Sequence, residues 1–118
     1  MGNLRVAVCD DEPMDLVQTI TLIQQYDTGK CFDIFSYTRA VDLLKIALEK
    51  PFDVVLLDIE METPNGYEIA KKLVMLPSPP VIIFVTKSSA YTLKGYGIAL
   101  RYLQKPLARA AFEEALDA

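Results

Sequence analysis

The stretch Phe52-Asp53-Val54-Val55-Leu56-Leu57-Asp58 decides the fold. It is a nearly unbroken apolar run, rich in Val and Leu, that ends in a carboxylate. A run this short and without alternation reads as a strand buried on both faces, the pattern of a central strand in a parallel sheet. A carboxylate inside such a strand is expensive. The cheaper place for Asp58 is the strand's carboxyl end, the edge at which open α/β sheets present their chemistry. Three other short polar clusters also follow apolar runs: Asp10-Asp11-Glu12, Thr86-Lys87-Ser88 and Lys105-Pro106. They are expected to converge on Asp58.

Towards the N-terminus, Leu4 to Cys9 reads as a first strand. A helix should start near Pro13, because proline suits a first helical turn and acids suit its N-terminus. Leu16, Val17, Ile20 and Ile23 recur at helical spacing, and Thr28-Gly29-Lys30 breaks the pattern. Cys31 to Phe35 is a second strand. Thr38 is the expected N-cap of a helix whose apolar face is Val41, Leu44, Ala47 and Leu48, and Pro51 stops it. Beyond Asp58 comes a loop, 59–65, turning at Asn65-Gly66. Tyr67, Ile69, Ala70, Leu73 and Val74 then form a helical stripe, and Pro77-Ser78-Pro79-Pro80 is a rigid connector. Val81 to Val85 is a β-branched fourth strand, Ser89 to Lys94 a short helix and Ala99 to Leu103 a fifth strand. Leu107, Ala111, Phe112, Ala115 and Leu116 mark a last helix. Five strands alternating with five helices imply an α/β domain, with a parallel sheet and right-handed crossovers.

At 118 residues the chain is expected to be one domain, 1–118, without internal repeat. Apolar residues make up 52% and charged residues 24%, the balance of a globular protein, and the apolar runs are too short to span a bilayer. With no leader pattern ahead of the first strand, a cytoplasmic setting without membrane contact is expected. Cys9 and Cys31 fall in or beside apolar runs and read as buried small side chains. A net charge of −4 argues against direct nucleic-acid binding, which needs basic patches. The absence of histidine removes the usual general base and the commonest metal ligand.

Each polar cluster has an ordinary alternative. Asp10 and Asp11 serve as helix caps, Asp58 as a turn residue, Thr86 as a cap and Lys105 as a solvated charge. All four together, at the ends of four strands of one sheet, point elsewhere. Carboxylates crowded at one site repel unless a hard cation sits among them, and oxygen ligands without Cys or His suit Mg²⁺. Phosphoryl transfer asks mainly for positioning and charge stabilisation. Lys105 offers a point positive charge for one phosphoryl oxygen and Thr86 a hydroxyl donor for another. A carboxylate acceptor needs no proton-abstracting residue, so the missing histidine is no obstacle.

Over essentially all 118 residues the chain resembles a response-regulator receiver domain, from Asp10-Asp11 to Lys105-Pro106. Val8-Cys9-Asp10-Asp11-Glu12, Leu57-Asp58-Ile59-Glu60-Met61, Ile83-Phe84-Val85-Thr86 and the span Tyr91 to Leu103 are most similar to receivers of the LytTR class. The resemblance implies a flavodoxin-like (βα)5 doubly wound sheet of order 2-1-3-4-5, for which a receiver is a standing example. It implies Asp58 as phosphoacceptor, and Mg²⁺ held by Asp10, Asp11 and Asp58 with the Glu60 backbone carbonyl. It implies phosphoryl contacts from Thr86 and Lys105. Tyr102 would be a switch aromatic that moves with Thr86, against the ordinary reading of a packed strand aromatic. The Lys105–Pro106 peptide would be cis.

The implied function is a phosphorylation-switched module rather than a turnover enzyme, fed by a sensor histidine kinase and able to dephosphorylate itself. A C-terminal DNA-binding domain beyond this chain would carry the transcriptional output, with a homodimer through the fourth helix and fifth strand. A stand-alone receiver that signals by protein binding, and a degenerate receiver that takes no phosphate, are the alternatives. A Mg²⁺-dependent phosphatase using an aspartyl phosphate is a third, disfavoured because Asp10 and Asp11 are adjacent. Two departures from the family stand out. Glu62 occupies the position of the usual proline, with Pro64 two residues on, and the span from Thr86 to Lys105 is short. The extra charge of Glu60 and Glu62 is expected to raise the dependence on Mg²⁺ and alter phosphoryl lifetime.

Overall fold

A computed structural model of the chain describes residues 4–26, 32–58, 66–86 and 101–104, the side chains of Gly66, Tyr67, Thr86 and of 101–104 excepted. In chain order the elements are β1 (Leu4–Cys9), α1 (Pro13–Tyr26), β2 (Phe32–Tyr37), α2 (Ala40–Glu49), β3 (Val54–Asp58), α3 (Gly66–Leu73), β4 (Val81–Thr86) and β5 (Arg101–Gln104). The five strands form one parallel sheet of order β2-β1-β3-β4-β5, the order expected from the sequence. The expected fourth and fifth helices and the Lys105–Pro106 peptide lie outside the described residues.

β3 is the middle of the sheet, and its apolar run is buried on both faces. Val55, Leu56 and Leu57 are each fully buried. Alternation along the strand sends Val55 and Leu57 to one layer, where they meet Leu43 and Ala47 of α2 and Ile69 and Leu73 of α3. Leu56 faces the other layer with Val6, Val8 and Val85, under Leu16, Leu22 and Ile23 of α1. A fully buried Leu contributes roughly 1.5–3 kcal/mol of hydrophobic stabilisation, so this run anchors both layers at once.

The helix faces match expectation at Leu16, Ile20, Ile23, Leu44 and Ala47 and depart from it at three positions. On α1, Val17 is 63% exposed, and the buried stripe runs through Leu16, Thr19 and Ile23. Thr19 escaped notice because it is polar. Its hydroxyl donates to the Asp15 carbonyl at 3.1 Å, which satisfies it inside the core. On α2, Val41 and Leu48 are exposed, and the buried positions are Ala40, Leu43 and Ala47. The cap is Arg39 rather than Thr38; its backbone is extended and its side chain makes no capping bond. At the other end Lys50 is also extended, the conformation forced on a residue before proline.

The N-terminal edge of the sheet is tied by Asp53. Its carboxylate accepts the Arg5 N–H at 2.7 Å, its N–H donates to the Arg5 carbonyl at 2.8 Å, and its carbonyl accepts the Val81 N–H at 3.0 Å. The Arg5 guanidinium lies over the rings of Phe35 and Phe52, at 4.5 and 4.9 Å, and donates from Nε to the Pro51 carbonyl.

Candidate functional site

The opposite, C-terminal edge carries the acids. β1 ends at Cys9, and Asp10 follows it into the turn that starts α1. The Asp10 N–H donates to the Tyr37 carbonyl at 3.1 Å, so the end of β2 fixes its backbone. The Asp10 carboxylate accepts the Glu12 N–H at 2.9 Å, a short Asx turn. Glu12 in turn offers its carbonyl to the Leu16 N–H at 3.0 Å, with Pro13 at the first helical position, where its missing N–H is no loss. The Asp10 side chain thus braces the turn ahead of α1 and does not cap the helix N–H groups themselves.

Its neighbours are also acids. Asp58 is the last residue of β3 and stands at the strand's carboxyl end, as its chemistry favours, yet it is still only 5% exposed. Asp10 is 2% exposed, and Asp11 lies at the surface. Carboxylate oxygens of Asp10, Asp11 and Asp58 all lie within 4.8 Å of one another. Two unit charges about 4 Å apart near a protein surface repel by about 4 kcal/mol. An octahedral Mg²⁺ needs oxygens roughly 3–4 Å apart, given metal–oxygen distances of about 2.1 Å. Three carboxylates, two of them buried, suit a hard cation in donor type and charge, and lie close enough together to share one.

The nearest sulfur does not compete for that role. Burial, reinforced by the charges of Asp10, Asp58 and Asp11, pushes the Cys9 thiol up to about 12. A protonated thiol is a poor ligand and a poor nucleophile. The cluster itself, Asp10, Asp11 and Asp58, offers oxygen donors.

Of the remaining expected residues, the backbone of Thr86 falls at the same edge. Val85 is the register partner of Asp58, and Thr86 is the next and last residue of β4. Thr86 pairs in turn with Gln104, the final residue of β5. Tyr102 pairs with Phe84. Lys105, Glu60, Glu62 and Pro64 lie outside the described residues. The residue missed by sequence reasoning is Tyr37. It anchors Asp10 through a main-chain carbonyl, which leaves no mark in residue type.

The sequence profile of the response regulator receiver domain matches residues 6–117. The chain belongs to this family. Among curated relatives, the receiver is 29% identical over 114 residues to the sensory transduction protein LytR of Streptococcus mutans, covering 96% of this chain and 47% of that protein. It is likewise 29% identical over 114 residues to the sensory transduction protein LytT of Bacillus subtilis, covering 96% and 46%. The receiver thus spans about half the length of the curated relatives it matches. Its fold superimposes on the response regulatory domain of mrkE from Klebsiella pneumoniae with a TM-score of 0.88 at 22% identity, covering 97% of this chain and 93% of that one. Among the described residues of the receiver, no helix is long and apolar enough to cross a membrane.

Proposed function

We propose that this receiver is a Mg²⁺-dependent phosphoacceptor with Asp58 as the acceptor, and that its phosphorylation switches a transcriptional output. The observation that carries the reading is the meeting of Asp10, Asp11 and Asp58 within 4.8 Å at the C-terminal edge of β1 and β3. Asp10 and Asp11 hold the cation with Asp58 and the Glu60 carbonyl. Bound there, Mg²⁺ supplies charge neutralisation for the incoming phosphoryl oxygens. An Asp58 carboxylate oxygen forms the new bond to phosphorus as the bond from phosphorus to a donor nitrogen or acyl oxygen breaks, and the electron pair leaves with the donor. No base takes part, because a carboxylate acceptor has no proton to lose. Thr86 donates its hydroxyl to one phosphoryl oxygen and Lys105 its ammonium to another. Hydrolytic loss of the phosphoryl group, with water as the acceptor, occurs at the same site.

The relatives are named as sensory transduction proteins, and this chain spans about half their length, which supports an output domain outside residues 1–118. In this reading that domain is C-terminal and binds DNA, the donor is a sensor histidine kinase and the setting is cytoplasmic. Recruitment of Thr86 shifts Tyr102 on β5 and biases a homodimer surface there. Incubation with Mg²⁺ and acetyl phosphate is expected to add the mass of one phosphate in wild type and none in Asp58→Asn. Wild type that gains no phosphate from acetyl phosphate or from any phosphohistidine donor sinks the reading and leaves the degenerate receiver.

A further inference from the structure

We propose that Tyr37 is a positioning residue for the cation site, one that holds Asp10 in place before any cation arrives. The inference rests on the reading of Asp10 as a cation ligand. β2 is the terminal strand of the sheet, hydrogen-bonded to β1 alone in the strand order, and Tyr37 is its last residue. The ends of such strands have few partners and open readily. Yet it is the Tyr37 carbonyl, at 3.1 Å, that accepts the Asp10 N–H. This bond continues the β1–β2 ladder past its last register pair, Cys9 with Tyr37.

What keeps the strand end in place is the Tyr37 ring. It stands edge-on to Phe52, with centroids 6.1 Å apart and planes at 68°, a favoured aromatic geometry. Phe52 is itself immobilised. It is 3% exposed, packs against Phe35 at 5.7 Å and lies under the Arg5 guanidinium at 4.9 Å. A rigid ring from the connection into β3 therefore pins the tip of β2, and the tip of β2 pins the backbone of Asp10. The need for this is electrostatic. Three like charges within 4.8 Å drift apart in the absence of a cation unless their backbones are held. The contact that carries this is the ring's with Phe52.

Three variants test this: Tyr37→Phe, Tyr37→Ala and Tyr37→Leu, the last retaining most of the side-chain volume should the alanine variant fold poorly. Two measurements are made on each, exchange of backbone amides by NMR in metal-free protein and Mg²⁺ affinity by calorimetry. The expected result is faster exchange of the Asp10 amide in Tyr37→Ala and Tyr37→Leu, with the amides of β3 and β4 unchanged. Mg²⁺ affinity should fall roughly tenfold in both, as for other groups that orient a metal ligand. Tyr37→Phe should match wild type in both measurements. A protected Asp10 amide and unchanged Mg²⁺ affinity in Tyr37→Leu overturn the inference, as does a rise in exchange spread evenly over the sheet. Wild type that binds no Mg²⁺ overturns the metal reading itself and this inference with it, an outcome seen before any variant is made.

Discussion

At Cys9 the chain sets a thiol immediately before its first two acids and buries it almost completely. Burial and the neighbouring carboxylates raise it from an ordinary 9.0 to about 12. Between these two values the unfolded chain loses the thiol proton and the folded chain keeps it. The unfolded state then binds fewer protons, so stability falls as pH rises from about 9 towards 12. Urea midpoints measured across that range should drop more steeply in wild type than in Cys9→Ala, and equal slopes would remove the argument. At the same scale, Asp11 contributes charge to the cluster from the surface. Asp11→Asn should raise the metal-free melting temperature by a few degrees and shrink the gain on adding Mg²⁺, as read by calorimetric scans with and without chelator. A variant that melts lower than wild type without metal would mean that the three carboxylates do not oppose one another.

At the scale of elements, β3 and the helices make opposite predictions. Leu57→Ala deletes a fully buried side chain facing α2 and α3 and should cost about 2–5 kcal/mol in denaturant unfolding. Val17→Ala and Leu48→Ala, at positions 63% and 65% exposed, should stay within about 0.5 kcal/mol. Comparable losses at all three would mean the helix phases are wrong. The contrast shows what was legible in the sequence. A strand apolar on both faces carries no phase to mistake, so β3 and the position of Asp58 could be read directly. A helix carries its phase only in the contrast between faces. On α1 that contrast is blurred by buried Thr19 and exposed Val17, and on α2 by exposed Val41 and Leu48. The acids of the site were legible because adjacent Asp10 and Asp11 and strand-end Asp58 are chemically conspicuous. Tyr37 was not, because its carbonyl is what every residue has.

For the whole molecule, the cation site and the fold should be thermodynamically linked. A ligand that binds only the folded form stabilises it by about 2.7 kcal/mol at 100 times its dissociation constant. For a domain of this size that is roughly 10 °C in melting temperature. Mg²⁺ should produce such a rise, chelator should reverse it, and Asp58→Asn should abolish most of it. An equal rise in Asp58→Asn would place the cation elsewhere.

The pairing of β1 with β3 has a consequence for when this chemistry exists at all. The two central strands come from distant parts of the chain, as the Arg5–Asp53 hydrogen bond across 48 residues makes plain. Closing so long a loop is entropically uphill until the whole central sheet rewards it. Asp10 and Asp58 meet only on that closure. A nascent, misfolded or partly proteolysed chain therefore lacks the carboxylate cluster, which exists only in molecules whose core is complete.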